Sequence, residues 1–202
     1  MSATDIQNKH VSAEALDQLF LQARTHIVWR PEPVPVSLLQ QVYDAARMGP
    51  TSANCQPARY VFLTTPEAKA RLVPALMPGN VEKTKTAPVN VIVAWDTEFY
   101  EALPKVFPQM DMRSYFVGKP DLINETAFRN GSLGGAYFMV AARAFGLDCG
   151  PMSGFDADKV NAEFFPDGKW KANFLCNLGY GDSSKVFPRN PRLDFEEACR
   201  VL

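Results

Sequence analysis

The chain is poor in the residues from which metal centres and disulfide frameworks are built. It contains only two histidines, His10 and His26, in 202 residues, so a histidine-rich metal site is excluded. Its cysteines form no C-x-x-C pair and are far apart, at Cys55, Cys149, Cys176 and Cys199. This spacing favours reduced thiols over a disulfide scaffold or a zinc site.

The charge balance likewise lacks an excess of either sign. The sequence has 21 lysines and arginines against 22 aspartates and glutamates, with no dense basic cluster, so no nucleic-acid or anionic-membrane partner is expected. Charges interrupt the first thirty residues, which predicts neither a signal peptide nor a membrane span. We expect a cytoplasmic protein whose partner is a small molecule or another protein.

The short motifs of self-sufficient catalytic sites are also missing. Gly150–Gly154 reads Gly-Pro-Met-Ser-Gly and does not match the G-x-S-x-G elbow, and neither a P-loop nor a G-x-G-x-x-G motif follows a predicted strand. If the chain is an enzyme, we expect a bound cofactor to carry the chemistry. The length suits a single domain over 1–202, with residues 1–11 expected to be mobile.

A polar loop between two prolines, Pro50–Pro57, is the main candidate for ligand binding. Its sequence is Pro-Thr-Ser-Ala-Asn-Cys-Gln-Pro, in which the prolines fix φ and the other side chains supply hydroxyl and amide groups. Such a loop could present hydrogen bonds to a planar polar ligand. Two alternatives remain open: an ordinary turn after a helix that ends at Gly49, and a cysteine hydrolase that uses Cys55 with His26.

Hydrophobic periodicity and capping residues predict alternating helices and strands. Helices are expected from Ser12 to about Arg24, at 37–47, from Pro66 to before Pro74, at 125–145, after Asp156, and near 195–199. Strands are expected at 59–64, 89–95 and 172–178. Segment 77–80 is predicted to be a loop, and 96–119 to be either core filler or a lid. The glycines of the long helix are expected to pack against another helix.

Five segments together, in order and spacing, resemble the FMN-dependent nitroreductase family. They are Arg24-Thr25-His26, Pro50–Pro57, Asn80-x-x-Lys83, Pro151–Phe155 and Arg189-x-x-Arg192-Leu193. Longer strings such as Gly-Pro-Thr-Ser-Ala-Asn-Cys and Gly-Pro-Met-Ser-Gly-Phe-Asp are similar to the branch that contains the malonic semialdehyde reductases of pyrimidine degradation. The resemblance covers nearly the whole chain.

The resemblance implies a fold and an activity. The fold is α+β, a nitroreductase-like α-β-α sandwich with a central mixed sheet, in an intertwined homodimer with FMN sites at the subunit interface. NADH or NADPH passes a hydride to flavin N5 and leaves, and an acceptor then takes its place in a ping-pong cycle. A 3-oxo acid such as malonic semialdehyde is the expected acceptor. A broad nitro or quinone reductase and a flavin-binding protein without turnover remain open.

The resemblance also implies which residues bind the flavin. Arg24, Arg192 and Arg189 would bind its phosphate, while Asn80 and Lys83 would contact the pyrimidine end of the ring. Thr51, Ser52 and Asn54 would reach the ring from the neighbouring subunit, and backbone N–H groups at Ser153 and Gly154 would approach N5. The full cofactor set is Arg24, Thr25, His26, Pro50, Thr51, Ser52, Asn54, Asn80, Lys83, Met152, Ser153, Gly154, Arg189 and Arg192.

Two positions depart from the family pattern. Ile27 and Val28 stand where many members carry a second basic residue, and Ser153 stands where many have an acidic one. Phosphate binding would therefore depend more on the C-terminal arginines, and Ser153 is expected to act through its backbone. Arg113, which is set among Met112, Tyr115 and Phe116, is the candidate for binding a substrate carboxylate.

Overall fold

The structure is a computed structural model, and it describes residues 10–202. Residues 1–9, to which most of the predicted mobile segment 1–11 belongs, lie outside the described residues. No helix in the described part is long and apolar enough to cross a bilayer. The described residues form helices that pack on an antiparallel sheet, which is an α+β fold.

The centre of the fold is a four-stranded antiparallel sheet in the order β1-β2-β4-β3. Its strands are β1 Ala58–Leu63, β2 Val89–Asp96, β3 Asp148–Met152 and β4 Trp170–Gly179. The prediction of a mixed sheet is corrected, because all three pairs of neighbouring strands are antiparallel. Among residues 10–202, the parallel pairing that was found is a single bridge between Thr25 and Cys149.

Nine helices surround this sheet in the described residues. They are α1 Ala13–Leu16, which continues into a π-helical turn Asp17–Leu21, α2 Val36–Ala46, α3 Pro66–Leu72, α4 Pro78–Thr86, α5 Leu103–Val106, α6 Arg113–Phe116, α7 Pro120–Ala144, α8 Ala157–Phe164 and α9 Phe195–Ala198. The predicted N-caps are confirmed, since the side chains of Ser12, Thr65 and Asp156 each accept a backbone N–H of the first turn.

Strand β2 shows why the chain forms a three-layer sandwich. Val91 and Val93 point into a cluster with Val42 of α2 and Phe138 of α7. The alternate residues Ile92 and Ala94 pack on the opposite face with residues of α3 and α8. Because side chains alternate along a strand, one continuous apolar run supplies both cores. The predicted α-β-α arrangement is therefore confirmed.

A third cluster forms where the 96–119 segment folds back on the Pro50–Pro57 loop. Phe99, Leu103 and Phe116 are buried there with Cys55 and Trp95. Other apolar side chains of the segment, including Met110 and Tyr115, are exposed. The segment is thus partly core filler, and its core contacts support the loop from below.

The glycines of α7 pack against the sheet, so the expectation of a helix partner was wrong. A Cβ atom added at Gly131, Gly134 or Gly135 would lie 2.6 to 2.9 Å from side-chain atoms of Trp95, Ala58 and Phe174, respectively. Only a residue without a side chain permits the helix to come this close to β1, β2 and β4. The opposite side of α7 remains free to face another molecule.

Candidate active site

A cleft of about 530 Å³ lies between residues 20–27, α4 and the C-terminal segment. No carboxylate is among the described residues that line it, whereas five cationic side chains are: Arg24, Lys83, Arg143, Arg189 and Arg192. Positive charges gathered without acidic neighbours suit a polyanion, and guanidinium forks match phosphate oxygens in particular. We name this feature the cation cleft.

The arginines of the cation cleft tie the N-terminal and C-terminal segments together through backbone carbonyls. Arg24 donates to the carbonyl oxygen of Phe187. Arg189 donates to the carbonyls of Leu21 and Ala23 at 2.7 and 3.1 Å. Because carbonyls carry no net charge, these bonds orient the guanidinium groups without neutralising them. The cations therefore remain able to bind an anion.

Lys83 contributes a charge from α4 that is similarly uncompensated. Among residues 10–202, no carboxylate oxygen lies within ion-pair distance of its ammonium group. Lys85, two residues later on the same helix, is exposed and pairs with Glu82 at 3.3 Å. The two lysines therefore differ in role: Lys83 faces the cleft, while Lys85 belongs to the solvent-facing side.

Asn80 lies one turn before Lys83 and holds the segment that follows β3. Its side-chain amide donates to the Gly154 carbonyl at 2.6 Å, and the Met77 N–H donates to the same oxygen at 3.1 Å. A Cβ at Gly154 would lie 2.6 Å from Asn80 Nδ2, so a larger residue there would displace the Asn80 side chain. No acceptor for the Gly154 N–H is found in residues 10–202, which leaves this donor available to a ligand.

Met152 and Ser153, which precede Gly154, have different environments. Met152 is buried at the end of β3, and its sulfur accepts a weak bond from the Thr84 hydroxyl at 3.8 Å. Ser153 is exposed, and its carbonyl accepts from Phe155 N–H. Residues 152–154 thus run from the core to the surface beside α4, and they contact Asn80 and Thr84 of that helix without lining the cation cleft.

The Pro50–Pro57 loop lines a separate cavity of about 380 Å³ with residues of α7. Pro50, Thr51 and Ser52 form one wall, and Asn130 and Leu133 are on the other. Asn130 is buried, and its Oδ1 accepts the Ser52 N–H at 2.8 Å. Within the described part of the chain, no residue lines both this cavity and the cation cleft.

The backbone of this loop is strained. Ala53, Asn54 and Gln56 have φ values of 48°, 49° and 42°, in the left-handed region that non-glycine residues avoid. Side-chain bonds hold it there: Gln56 N–H donates to Thr51 Oγ1 at 3.1 Å, and Asn54 Nδ2 donates to the Val106 carbonyl at 2.7 Å. Such strain persists where a particular shape is needed, which is common at binding sites.

His26 adjoins the cation cleft by sequence but is buried away from it. Its Nδ1 lies 3.3 Å from Asp148 Oδ1, and Gly181 packs directly against the ring. The Asp148 carboxylate also accepts the Gly181 N–H at 2.8 Å. The backbone N–H of His26 donates to the Cys149 carbonyl at 3.1 Å, which ties the Arg24–Thr25 segment to β3, and a direct contact of His26 with a cofactor stays a prediction.

Cys55 is unsuited to nucleophilic catalysis. Its thiol is buried in the apolar cluster beneath the loop, and this burial raises its pKa to about 11, so the thiol is protonated at neutral pH. Cys55 precedes β1 while His26 lies beside β3, at opposite edges of the sheet. Three strand spacings of about 4.8 Å separate those edges by roughly 14 Å. The hydrolase alternative was wrong.

Arg113 lies elsewhere, beside a hollow of about 290 Å³ that is lined by residues 104–113. Both arms of its guanidinium group bind Glu101, at 2.7 and 2.8 Å. This hydrogen bonding from Arg113 lowers the pKa of Glu101. A substrate carboxylate would have to compete with Glu101 for Arg113, and the proposed substrate role stays a prediction.

Comparison with known proteins decides the family. A model described as the nitroreductase family matches residues 21–180. The chain belongs to the nitroreductase family. This confirms the resemblance to the family, though not to the malonic semialdehyde reductase branch, and with it the expected class of flavin-dependent NAD(P)H oxidoreductases with FMN as cofactor.

Relatives of this nitroreductase-family chain are similar over nearly its whole length. A Ralstonia nicotianae protein with the curated name "Putative NADH dehydrogenase/NAD(P)H nitroreductase" is 63% identical over 187 residues, 93% of this chain and 96% of that one. A Rhodopseudomonas palustris protein of the same name is 62% identical over 187 residues, 93% of this chain and 95% of that one.

A solved structure shares the fold. It comes from Exiguobacterium sibiricum, is described as a "putative nitroreductase in complex with FMN", and superposes with a TM-score of 0.83 at 17% identity, covering 96% of this chain and 99% of that one. At this identity the likeness shows the fold alone, and it confirms the α+β class.

Several residues that shape the site were not anticipated from the sequence. They are Trp29, Asn90, Asn130 and Asn177, all of them buried. One signal was available for two of them: Asn90 and Asn177 interrupt apolar strands, and a buried amide must find hydrogen-bond partners. Trp29 and Asn130 carry no comparable local signal.

Proposed function

We propose that this family member is an FMN-dependent NAD(P)H oxidoreductase that reduces a small 3-oxo acid, such as malonic semialdehyde, to the 3-hydroxy acid. The observation that supports the flavin part most directly is the cation cleft, where arginines and Lys83 gather without a carboxylate. A flavin phosphate carries nearly two negative charges, which these groups can balance. The malonic semialdehyde part rests on the sequence strings shared with that branch.

The residues beside the cleft fit the rest of the cofactor. Arg24, Arg189 and Arg192 would hold the phosphate, and Lys83 and Asn80 would meet the polar end of the ring. The Gly154 N–H, which has no acceptor among the described residues, is a free donor for a ring nitrogen. These donors come from the backbone or from side chains that are already oriented, so binding would cost little reorganisation.

FMN, when bound, supplies hydride transfer: two electrons and a proton from NAD(P)H, with one further proton, convert an aldehyde to an alcohol. The chain's residues bind, orient and exclude water. Lys83 places a positive charge near the ring, which favours extra negative charge there. No side chain acts as a nucleophile, in agreement with the high pKa of Cys55.

A homodimer that completes the site is part of the proposal. The Pro50–Pro57 loop lines a cavity that is separate from the cation cleft, and a second copy of the chain would bring the loop's groups to a ligand in the cleft. Next to the loop, α7 exposes large apolar side chains, with Phe128 at 54%, Leu133 at 45% and Tyr137 at 43%. Such side chains favour association with another chain.

A second candidate function is a broad nitro or quinone reductase on the same flavin. Two relatives above 60% identity carry the name NAD(P)H nitroreductase, which favours this candidate. The cation cleft supports both functions equally, because it concerns the cofactor and leaves the acceptor open.

The test is a visible spectrum followed by acceptor kinetics. In purified protein loaded with FMN, the visible absorbance of the flavin should bleach on anaerobic addition of NADH or NADPH. A flavin that stays oxidised with both would contradict the proposal. Steady-state kcat/KM on malonic semialdehyde, a nitroaromatic and a quinone then separates the two functions. A higher value for the semialdehyde supports the 3-oxo acid, and a higher value for the others favours the second candidate.

Arg113→Ala tests the carboxylate subsite. We expect a lower kcat/KM for malonic semialdehyde and an unchanged value for an uncharged quinone. Arg71→Ala is the control, because Arg71 is a similarly exposed arginine whose partner, Glu163, lies on α8. An unchanged semialdehyde value in Arg113→Ala would remove Arg113 from the proposal.

A further inference from the structure

A buried polar cluster joins the centre of the sheet to the end of α4. Asn90 of β2 and Asn177 of β4 are direct partners in the antiparallel register, and each is 1% exposed. Asn90 Nδ2 donates to Asn177 Oδ1 at 2.9 Å. Burying two asparagine side chains in an apolar sheet costs free energy unless their amide groups are hydrogen-bonded.

The side-chain amides of this pair also donate to backbone carbonyls in the last turn of α4. Asn90 Nδ2 also donates to the Thr84 carbonyl at 2.9 Å, and Asn177 Nδ2 donates to the Lys83 carbonyl at 3.1 Å. The indole N–H of Trp29 reaches the same Lys83 oxygen, also at 3.1 Å. The last four carbonyls of a helix have no partner within the helix, so these donors cap α4 from the core.

The helix needs this support. Helix α4 has nine residues, begins with Pro78 and Gly79, and carries threonines and lysines that give it little apolar surface to bury. Isolated helices of this length are marginal in water, so tertiary contacts decide where such a helix sits. Fixing the Lys83 carbonyl fixes its Cα and the Cα–Cβ bond, and hence the point and direction from which the side chain extends toward the cleft.

We propose that Trp29, Asn90 and Asn177 are positioning residues for Lys83, which hold its ammonium group in the cation cleft from the opposite side of the helix. This rests on the proposed function, since it assigns to Lys83 a role toward a bound flavin. None of the three side chains lines the cleft. Their effect on a ligand must therefore pass through the backbone of α4.

A double-mutant cycle tests this, with FMN affinity of the apoprotein as the readout. Lys83→Met removes the charge, and Trp29→Phe removes one donor to the Lys83 carbonyl while retaining an aromatic ring. We expect Lys83→Met to raise the FMN Kd about tenfold and Trp29→Phe about threefold, typical of losing a charged and a neutral hydrogen bond. The double variant should match Lys83→Met, because the indole acts only through the ammonium group.

Two controls separate positioning from general damage. Lys85→Met removes a charge from the same helix outside the cleft, and Trp170→Phe makes the same aromatic change at a tryptophan that packs against Phe165 on the α3 and α8 face of the sheet. Both should leave the Kd unchanged. Thermal unfolding of the apoprotein should show that Trp29→Phe lowers Tm equally with and without the Lys83→Met change. If Trp29→Phe does not fold, Asn177→Ser takes its place in the cycle.

The possible outcomes are distinct. Equal weakening by Trp29→Phe with or without the Lys83→Met change would overturn the positioning role and leave the proposed function standing. No effect of Lys83→Met on FMN affinity would overturn it as well, since Lys83 would then lie outside the site. An apoprotein that binds no FMN at all would contradict the proposed function itself. Loss of the Trp29→Phe effect in the Lys83→Met background supports the inference.

Discussion

The two cavities that hold the predicted site residues are built in opposite ways. The cation cleft is lined by residues of one chain, and its Arg24 and Arg189 donate to backbone carbonyls 163 to 168 residues away. The Pro50–Pro57 loop has three non-glycine residues at positive φ and stands beside the exposed apolar residues of α7. The cation cleft is formed by residues of one copy of the chain, whereas the loop adjoins an exposed apolar face of α7.

This difference separates two requirements of a flavin site. Holding a phosphate needs fixed charges, which long-range bonds across one fold provide. The flavin ring must also be covered, while two substrates still reach it in turn. In the proposed dimer, residues of the other subunit supply this cover. This comparison predicts that a substitution in the cleft weakens FMN binding only in part. A substitution on the α7 face should prevent dimer formation and with it FMN binding.

The largest effect is expected from placing a charge on the exposed apolar face of α7. Leu133→Asp places a charge on the exposed apolar side of α7 beside the loop, and burying that charge at a subunit interface is unfavourable. We expect a monomer on size-exclusion chromatography and loss of bound FMN. The control Val36→Asp alters an apolar residue that is 71% exposed on α2 and should remain dimeric. A Leu133→Asp dimer that retains FMN would remove α7 from the interface.

A change in the cation cleft should have a smaller effect. Arg24→Ala removes one guanidinium group and should weaken FMN binding about tenfold to a hundredfold, as expected for a lost charged hydrogen bond. Fluorescence titration of the apoprotein measures this, and the weakening should diminish at high salt. Arg71→Ala, outside the cleft, serves as the control. Equal Kd values for the two variants would show that the cleft does not bind the phosphate.

Loss of the hydrogen bond that anchors the loop to Asn130 is expected to lower stability and to weaken FMN binding moderately. Asn130→Ala leaves the Ser52 N–H without its acceptor, which should cost about 1–3 kcal/mol of unfolding free energy. Urea denaturation measures this cost. Asn161→Ala is a matched control, because its Oδ1 accepts a backbone N–H from Ala172 at the same 2.8 Å. Both variants should lose stability, but only Asn130→Ala should also weaken FMN binding.

The smallest expected effect concerns Cys55. Burial raises the pKa of its thiol to about 11, so thiolate forms only as the pH approaches that value, and native protein should resist alkylation at pH 8. Cys199 is exposed and provides an internal control. Mass spectrometry after iodoacetamide treatment should find modified Cys199 and intact Cys55. Rapid modification of Cys55 with loss of activity would revive the hydrolase.

Local sequence predicted the parts of the fold that local physics determines. Strand β2 and the caps at Ser12, Thr65 and Asp156 follow from apolar runs and hydrogen-bonding side chains, and all are confirmed. Strand β3 was missed because Gly150 and Pro151 are typical of loops. Proline is nevertheless tolerated on an edge strand, where β3 lies.

Helix α4 shows why the rest of the site could not be predicted. Pro78-Gly79-Asn80 reads as a turn, and nothing nearby favours a helix strongly. Its last turn is capped by Trp29 and Asn177, which are distant in sequence, and by Asn90 of the strand that follows. Residues 80 and 83 were matched to the site by resemblance, but the contacts that place them are visible only in the folded chain.

The most direct test of the central claim is to compare the affinities of the apoprotein for FMN and for riboflavin, which differ only in the phosphate. If the cation cleft binds that phosphate, FMN should bind about a thousandfold more tightly at low salt, since several charged hydrogen bonds are lost with riboflavin. Equal affinities for the two flavins would contradict the account.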